Sequence, residues 1–444
     1  MEVAAGPQLD RLTWLAGTYA PLPTIIDAAR RIFRDEPLPR IWRAESVGVH
    51  ETVRVVQDRA EAARASGERV LALIAGVPGA GKTLAGLRIV YEHEDSAAPA
   101  TFLSGNGPLV AVLQDALKNS VFVKDLHKAV HAYGMRGQIP QQHVIVFDEA
   151  QRAWDRGKMY TARGLDFSEP DVLIAAAERI PKWATLVGLV GEGQEIHGGE
   201  EGGLGQWADA IAAGQEHWKV VVPPRLARVF TGFDVQTDPR LDLTTSLRSR
   251  RAERLHDWVS HLLEGRLEIA HELANEIDAG SFPIRLFRNL EAAKDYARER
   301  YDDEPGKLFG LLASSHAKNL PGLGVDNSFQ TTKRVQVARW FNDPADSPRS
   351  GRALTHPLTE FMCQGLELDL PVVCWGSDML WGRDGWSIRP TKRRFPLRDP
   401  DQIVRNTYRV LLTRGRDGLV LFVPPGAVYE QTAQALIGAG AWAE

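Results

Sequence analysis

The chain has 444 residues, of which 44% are hydrophobic and 25% charged, with a formal net charge of −4 and a pI near 6.3. This composition is typical of a globular protein with a large buried core, and it excludes a disordered, collagen-like or low-complexity chain. The charge provides no overall basic field that would attract nucleic acid or anionic lipid. The length is compatible with two or three domains.

The two cysteines, Cys363 and Cys374, are too few for a disulfide framework, a zinc ribbon or an iron–sulfur site, so we expect a reducing compartment. No run of residues approaches the ~18 apolar positions of a membrane-spanning helix. The N-terminus lacks a basic segment followed by an apolar one, since Glu2 and Asp10 interrupt that pattern. We therefore expect a cytoplasmic protein with no membrane partner.

Residues 1–66 are predicted to form a helical N-terminal leader. Apolar residues recur at helical spacing around Ile25, two prolines then interrupt the pattern, and a second helix is expected over residues 51–65. Gly67 ends this helix, and the period of the apolar residues changes after it.

Short apolar runs alternate with helical stretches through the rest of the chain. Each run is followed by polar or glycine-rich residues, which is the pattern of parallel strands covered by helices on both faces. The runs in the first half are RVLALIA at 69–75, ATFL at 100–103, HVIVF at 143–147 and TLVGLV at 185–190. Those in the second half are LFGLLA at 308–313, LPVVCW at 370–375 and LVLFV at 419–423. A proline- and arginine-rich stretch at 221–245 separates the halves, so we predict two α/β lobes behind the leader.

Residues 76–83 (GVPGAGKT) match the phosphate-loop pattern G-x-x-x-x-G-K-[ST] between a predicted strand and a predicted helix. Glycines in such a loop let successive backbone N–H groups surround a polyphosphate, and the following helix N-terminus adds partial positive charge. Lys82 would place a charge beside the β- and γ-phosphates, and the Thr83 hydroxyl would bind Mg²⁺. The glycines predicted to bind the nucleotide are Gly76, Gly79 and Gly81. The sequence thus predicts ATP and Mg²⁺ as cofactors.

The apolar run at 143–147 ends in Asp148 and Glu149, a position suited to the second half of a phosphate site. Asp148 is predicted to bind Mg²⁺ through a water molecule. Glu149 is predicted to act as the general base that polarises the attacking water. This half of the chain therefore has the pattern of a nucleoside triphosphatase.

Two further glycine-rich segments follow predicted strands. Residues 187–194 (VGLVGEGQ) end in Gln194, which is either a sensor of the γ-phosphate or a solvent-facing residue of a loop. Residues 104–107 (SGNG) contain Ser104 and Asn106, and this segment either binds a nucleic-acid phosphate or forms a simple turn.

Three later motifs complete the series: LTTSLRS at 243–249, TEFMCQGLELD at 359–369 and NTYRVLLTRGR at 406–416. In this order the motifs resemble those of superfamily 1 helicases, and more closely the helicase-like domain of the bacterial Schlafen group 3 type. The resemblance extends from residue 67 to residue 425, and the last two motifs are its most specific part.

The resemblance implies two RecA-like lobes, at 67–235 and 236–444, with ATP bound between them. It implies that Arg248 and Arg414 reach from the second lobe to the γ-phosphate and stabilise charge in the transition state. It also implies that Glu367 lines the nucleotide cleft. Gln364 and Tyr408 would be supporting residues.

Single-stranded DNA or RNA is the expected partner, bound across both lobes through phosphate contacts and stacked bases. Trp154, Trp375 and Trp381 are candidate stacking residues, and packing in the core is the alternative for each. The basic stretch 383–405 either follows a nucleic-acid backbone or forms a solvated loop.

Two functions from different classes remain open. The first is an ATP-dependent nucleic-acid motor of the helicase or translocase type. The second is a nucleotide-switched ATPase scaffold of a bacterial defence complex that does not separate strands, with a nuclease or another defence-complex protein as its partner. Polynucleotides should raise ATP turnover in the first case and leave it unchanged in the second.

Overall fold

The structure of the protein is a computed structural model that describes residues 24–34, 47–77, 79–93, 99–191, 203–244, 250–278, 282–388 and 400–444. Within these ranges the chain forms a helical leader, two lobes built on parallel sheets, and one small antiparallel hairpin.

Of the predicted leader, residues 1–23 and 35–46 lie outside the described residues, and the part that the structure describes contains the helices α1 (Ile25–Ile32) and α2 (Val47–Ser66). The Thr24 hydroxyl accepts a hydrogen bond from the backbone N–H of Asp27 at 3.1 Å and so caps α1. Gly67, at φ 74°, ends α2, because this left-handed conformation suits glycine at a helix C-terminus. Both helices pack on helices of the first lobe.

The first lobe is an eight-stranded parallel sheet in the order β3-β2-β4-β5-β1-β6-β7, with β8 paired to the end of β1. Its strands are β1 (Arg69–Gly76), β2 (Ala100–Ser104), β3 (Val123–Asp125), β4 (Val144–Phe147), β5 (Ala184–Gly191), β6 (Trp218–Val222), β7 (Asp234–Thr237) and β8 (Asp242–Leu243). Strands β2, β4 and β5 are buried almost throughout, as their continuous apolar runs predict.

Helices cover both faces of this sheet. They are α3 (Lys82–Glu92), α4 (Gly107–Leu117), α5 (Leu126–Val130), α6 (Arg156–Arg163), α7 (Glu169–Glu178) and α8 (Gly205–Ala213). Because all the strands are parallel, the carboxyl ends of β1, β2, β4 and β5 lie at one edge, where α/β proteins bind ligands.

The boundary predicted at 235/236 falls inside β7. Strands β7 and β8 both pair within the first sheet, so this sheet extends to Leu243. The prolines and arginines that indicated a crossover lie in short 3₁₀ helices, Pro224–Phe230 and Pro239–Leu241, between these edge strands.

The second lobe is a five-stranded parallel sheet in the order β10-β11-β14-β9-β15. Its strands are β9 (Ile284–Phe287), β10 (Phe309–Ala313), β11 (Leu370–Cys374), β14 (Leu419–Phe422) and β15 (Trp442–Ala443), and a hairpin of β12 (Met379–Gly382) and β13 (Gly385–Ile388) stands beside it. Its helices are α9 (Arg250–Leu263), α10 (Leu267–Asp278), α11 (Leu290–Glu299), α12 (Phe329–Thr332), α13 (Val337–Asn342), α14 (Glu360–Cys363), α15 (Pro400–Leu412) and α16 (Ala427–Gly438). The predicted α/β fold of two RecA-like lobes behind a helical leader is confirmed.

The lobes and the leader meet at Asn342, the last residue of α13. Its amide nitrogen donates to the Val112 carbonyl and to Asp115 Oδ2 of α4, both at 3.0 Å. Its amide oxygen accepts from Arg30 of α1 at 2.8 Å. One side chain of the second lobe therefore contacts both the first lobe and the leader.

Candidate nucleotide site

The phosphate loop connects β1 to α3 in a conformation that depends on its glycines. Gly79 and Gly81 adopt φ values of 79° and 87°, which other residues rarely adopt. A Cβ on Gly76 would lie 2.8 Å from the Leu243 carbonyl oxygen, so only glycine fits there. Gly81 is the N-cap of α3 and offers no side-chain cap, which leaves the first-turn N–H groups available to an anion.

Lys82 begins α3 and lies along the loop. Its Nζ donates to the carbonyl oxygens of Gly76 and Val77 at 2.8 and 3.0 Å. Thr83 follows in the first helical turn and is half-buried. The loop thus presents an ammonium group and a hydroxyl at the carboxyl end of β1, as an NTP site requires.

The turn after β4 places Asp148 and Glu149 at the same edge. The Asp148 N–H donates to the Leu103 carbonyl at 2.9 Å, which extends the contact of β4 with β2. Glu149 adopts φ 55° and ψ 50°, a left-handed conformation that is uncommon for a residue with a side chain. Such conformations persist only where the surroundings fix them, and they are common at functional sites.

Four hydrogen bonds fix this turn. The Arg152 N–H donates to the Glu149 carbonyl at 2.8 Å. The indole nitrogen of Trp207 donates to the Ala150 carbonyl at 3.0 Å. The Gly191 N–H, at the end of β5, donates to Gln151 Oε1 at 2.9 Å, while Gln151 Nε2 donates to Glu149 Oε2. Gln151 therefore connects the Glu149 carboxylate to the neighbouring strand.

Gly191 is the point at which the two motifs meet. A Cβ built on Gly191 would lie 3.0 Å from Gln151 Nε2, 3.3 Å from Glu149 Oε2 and 3.7 Å from Lys82 Cε. The predicted lysine and the predicted general base therefore flank one glycine, although they belong to separate motifs of the sequence. Neither Gln151 nor Gly191 was predicted from the sequence to be a site residue, and the only sequence signal for Gln151 is its place in the FDEAQ motif.

Asp148 is a buried carboxylate beside Glu149, 8% exposed. Burial and, to a smaller extent, the charge of Glu149 together raise the pKa of Asp148 to about 7, although the Ser104 hydroxyl and the Lys82 charge act in the opposite direction. A divalent cation would favour the ionised carboxylate here. Asp148 and the Thr83 hydroxyl are hard oxygen ligands, the kind that Mg²⁺ binds together with phosphate and water, so the residues present fit this ion.

Ser104, predicted in a nucleic-acid loop, is 2% exposed, and its hydroxyl donates to Asp148 Oδ2 at 3.3 Å. Its side chain therefore contacts the candidate nucleotide site at Asp148. Asn106 follows it and caps α4, where Oδ1 accepts from the Leu109 N–H at 3.2 Å. Asn106 Nδ2 donates to the Gln364 carbonyl of the second lobe at 2.7 Å. Contact of these residues with nucleic acid stays a prediction.

Arg414 of the second lobe is half-buried and bonded within its own lobe. Its guanidinium donates to the carbonyls of Val410 at 2.9 Å and Leu366 at 3.4 Å, and to the Thr413 hydroxyl at 3.0 Å. Leu366 lies in the same segment as Gln364, which contacts the first lobe. Arg414 thus lies behind a segment in contact with the first lobe, and its reach to a γ-phosphate stays a prediction.

Glu367 is paired with Arg416, whose Nε lies 3.5 Å from Glu367 Oε2. Arg416 also lies 3.8 Å from Asp369 Oδ1, and Lys307 contacts the same oxygen at 3.3 Å. These charges connect the segments that precede β10, β11 and β14. The predicted contact of Glu367 with nucleotide remains a prediction.

The tryptophans differ in their surroundings. Trp375 is fully buried and packs against Trp386 and Tyr408, with ring centroids 5.3 and 4.5 Å away. Of the two alternatives predicted for Trp375, the structure shows packing in the core and not a stacking surface, because Trp375 directly follows the buried strand β11. Trp154 is half-buried. Its ring centroid lies 4.7 Å from the ring centroid of His127, 4.8 Å from Lys158 Nζ and 4.9 Å from Arg163 Cζ. Stacking of a base on Trp154 stays a prediction.

Tyr408 supports the second lobe from within. It is fully buried, its hydroxyl donates to Asp378 Oδ1 at 2.9 Å, and it accepts from the Gly376 N–H at 3.0 Å. Burial raises the pKa of Tyr408 well above its usual value, so the phenol remains protonated.

Two predicted catalytic residues, Gln194 and Arg248, lie outside the described residues, as does the part of the basic stretch at 389–399.

Within the described ranges, no group of three or more His, Cys, Asp or Glu side chains could bind a metal ion by itself. No helix in the described part of the chain combines the length and the apolar character needed to cross a membrane.

A phosphate loop, an Asp-Glu turn and a second parallel-sheet lobe in contact with the first together define a helicase-like P-loop protein. The profile of the family described as Schlafen group 3, DNA/RNA helicase domain, matches residues 69–425. The chain belongs to this family, as the sequence analysis predicted.

Comparison with curated protein sequences finds no match. Among solved structures, a variant of S. cerevisiae Dbp5 bound to a Gle1 variant and IP6 is 10% identical with a TM-score of 0.32, and 90% of this chain and 92% of that chain are covered. The Pyrococcus furiosus Hef helicase domain is 11% identical with a TM-score of 0.30, over 92% of this chain and 99% of that chain. A DEAD box protein from Methanococcus jannaschii is 11% identical with a TM-score of 0.25, and the match covers 88% of this chain and 91% of that chain.

Proposed function

We propose that the protein is an ATP-dependent motor that moves along single-stranded DNA or RNA, hydrolysing ATP at the carboxyl edge of the first sheet. The observation that carries the proposal is the arrangement of Lys82, Glu149 and Gln151 around Gly191, beside the buried Asp148. Membership of a DNA/RNA helicase domain family supports nucleic acid as the partner.

Different residues of the first lobe would bind the phosphates, bind Mg²⁺ and activate the attacking water. The N–H groups of the loop and the Lys82 ammonium would bind the phosphates. Thr83 and Asp148 would bind Mg²⁺, which neutralises phosphate charge when present. The Glu149 carboxylate would accept a proton from the attacking water, since it is 38% exposed and therefore accessible to solvent. Gln151 would orient Glu149 through the hydrogen bond that joins their side chains.

The second lobe would complete the site. Arg414, and Arg248 by analogy with the family, would stabilise charge that develops on the γ-phosphate. For Arg414 this requires exchange of its bonds to Leu366 and Val410 for bonds to phosphate. Such an exchange would couple the state of the nucleotide to the segment containing Gln364, which contacts Asn106.

Measurement of ATP turnover with and without single-stranded, duplex and RNA oligomers tests the proposal. We expect a severalfold rise with at least one single-stranded oligomer. If no polynucleotide changes the turnover rate, the protein is not a nucleic-acid motor, and the nucleotide-switched scaffold of a defence complex is favoured. The affinity of such a scaffold for its protein partner should differ between ATP and ADP. Lys82→Ala should abolish turnover in both cases, so this variant controls for contaminating ATPases.

A further inference from the structure

Two exposed phenylalanines of the second lobe lie in segments that are hydrogen-bonded to one loop. Among the described residues, Phe329 and Phe361 are the phenylalanines with large exposure, at 75% and 54%. The loop to which both segments are hydrogen-bonded, residues 314–317, follows β10 at the carboxyl edge of the second sheet. Single exposed apolar residues are common on protein surfaces, but two aromatic rings fixed to the same loop form a specific arrangement.

Phe361 is oriented by its neighbour. Glu360 is 5% exposed, and its carboxylate accepts from the Ser315 N–H at 3.0 Å and the Ser315 hydroxyl at 2.6 Å. Consecutive residues of a helix point about 100° apart, so the inward Glu360 turns Phe361 toward solvent. The ring is therefore exposed on a fixed backbone.

The segment that precedes Phe329 is bonded to the same loop. Asn327 is buried, and its amide nitrogen donates to the carbonyls of Ser314 at 2.7 Å and Ala317 at 2.8 Å. Ser328 caps the short helix α12, which begins at Phe329. Both exposed rings are thus attached through buried polar side chains to loop 314–317.

The charge around the rings suits a polyanion. Lys333 Nζ lies 5.9 Å from the centroid of the Phe329 ring. Lys318 is exposed, and its Nζ donates to the Ser315 carbonyl at 2.9 Å, so it lies on the loop itself. The nearby Asp326 carboxylate accepts from the Ser328 N–H and the Thr331 hydroxyl, which keeps it at the start of α12.

We propose that Phe329 and Phe361 stack with unpaired bases of a single strand, while Lys318 and Lys333 contact its phosphates. Base–aromatic stacking tolerates any sequence because every base has a π-face. This inference rests on the proposed function and deepens it, because it assigns base contacts to two phenylalanines of the second lobe. Neither residue was singled out from the sequence, where only tryptophans were considered.

Stacking can be separated from phosphate binding with two kinds of ligand. Affinities of the full chain should be measured for labelled 15-mers of thymidylate and uridylate and for an abasic 15-mer that has the backbone but no bases. We expect Phe361→Ala and Phe329→Ala each to weaken binding of the base-containing strand by about tenfold, within the range for loss of one stacked base. Affinity for the abasic strand should not change.

Two controls distinguish stacking from a general loss of structure. Phe361→Trp should retain affinity, because tryptophan also stacks. Val428→Ala shortens an apolar side chain on α16 that is 53% exposed, close to the exposure of Phe361. This variant should keep the parent's affinity for both the base-containing and the abasic strand. The thermal midpoint of each variant establishes that it is folded.

The inference is overturned if both alanine variants bind the base-containing strand as tightly as the parent, or if they lose affinity for both kinds of strand equally. If single strands raise the ATP turnover of the parent and the alanine variants bind as tightly as the parent, the proposed function stands and only the role of the two phenylalanines is wrong. If the parent binds no strand at all, the proposed function fails and the inference fails with it.

Discussion

Asn106 of the first lobe donates its side-chain amide to the backbone carbonyl of Gln364 in the second lobe at 2.7 Å. On the first lobe, Asn106 lies two residues after Ser104, which contacts the buried Asp148. On the second, Gln364 lies two residues before Leu366, whose carbonyl accepts from Arg414. A short chain of contacts thus connects the predicted Mg²⁺ ligand to the predicted arginine finger.

The two roles of Asn106 can be separated by substitution. Asn106→Ala removes both the cap of α4 and the contact with Gln364, and loss of the cap alone should lower the free energy of unfolding by ~0.5–2 kcal/mol. Asn106→Ser retains a capping oxygen but is too short to reach Gln364. We expect the serine variant to keep the parent's thermal midpoint but to lose much of the stimulation of ATP turnover by single strands. Equal stimulation in both variants and the parent would show that this contact does not couple the lobes.

Glu149→Gln should abolish turnover while nucleotide still binds. A glutamine has nearly the same shape but cannot accept the proton, and loss of a general base typically costs ~10²–10⁴-fold in rate. Single-turnover hydrolysis and equilibrium binding of a fluorescent ATP analogue measure the two properties separately. Retention of more than a tenth of the parent's rate would assign the base to another residue.

Gln151 should act as a positioning residue for Glu149. Gln151→Ala removes the hydrogen bonds to the Glu149 carboxylate and to the Gly191 N–H. Misplacement of a catalytic group by about 1 Å can cost ~10²-fold, so we expect the turnover rate at saturating ATP to fall by one to two orders of magnitude while KM changes little. Gln151→Glu, which keeps the acceptor for Gly191 but adds a like charge beside Glu149, should not restore the rate. A rise in KM at an unchanged turnover rate would indicate instead a direct contact with nucleotide.

Substitution of Arg414 should mainly slow ATP turnover, whereas substitution of Arg416, two residues away, should mainly lower stability. Arg416 is ion-paired with Glu367 and Asp369 and is only 12% exposed, so Arg416→Ala should mainly lower the thermal midpoint. Arg414→Ala should slow turnover by ~10³-fold, the loss typical of an arginine finger. Arg414→Lys should recover little of this rate, because an ammonium group lacks the bidentate geometry of guanidinium. Turnover measured below each variant's unfolding transition separates the two effects.

The sequence predicted the parallel strands well, because strands buried on both faces have continuous apolar runs. HVIVF and TLVGLV correspond closely to β4 and β5, and the phosphate loop lies between β1 and α3 as expected. Trp375 belongs to such a run, LPVVCW, and its burial follows from the same principle.

The remaining features depend on tertiary contacts that local patterns do not encode. Asn106 and Gln364 are 258 positions apart, and no periodicity relates them. The left-handed conformation of Glu149 is imposed by Trp207, Gln151 and Gly191, since the residue itself disfavours it. Strand β8 has only two residues, so it was not distinguishable from a linker.

If one triphosphate contacts both lobes, as we propose, its hydrolysis should move the lobes relative to each other. The most direct test is the distance between fluorophores on Arg136→Cys in the first lobe and Asp303→Cys in the second, measured by energy transfer with ADP and with a non-hydrolysable ATP analogue. The native Cys363 and Cys374 are fully buried, so labels should react at the two exposed positions. We predict a distance that differs between the two nucleotides, and a difference that disappears in Arg414→Ala. The same distance with ADP, with the analogue and without nucleotide would contradict the account.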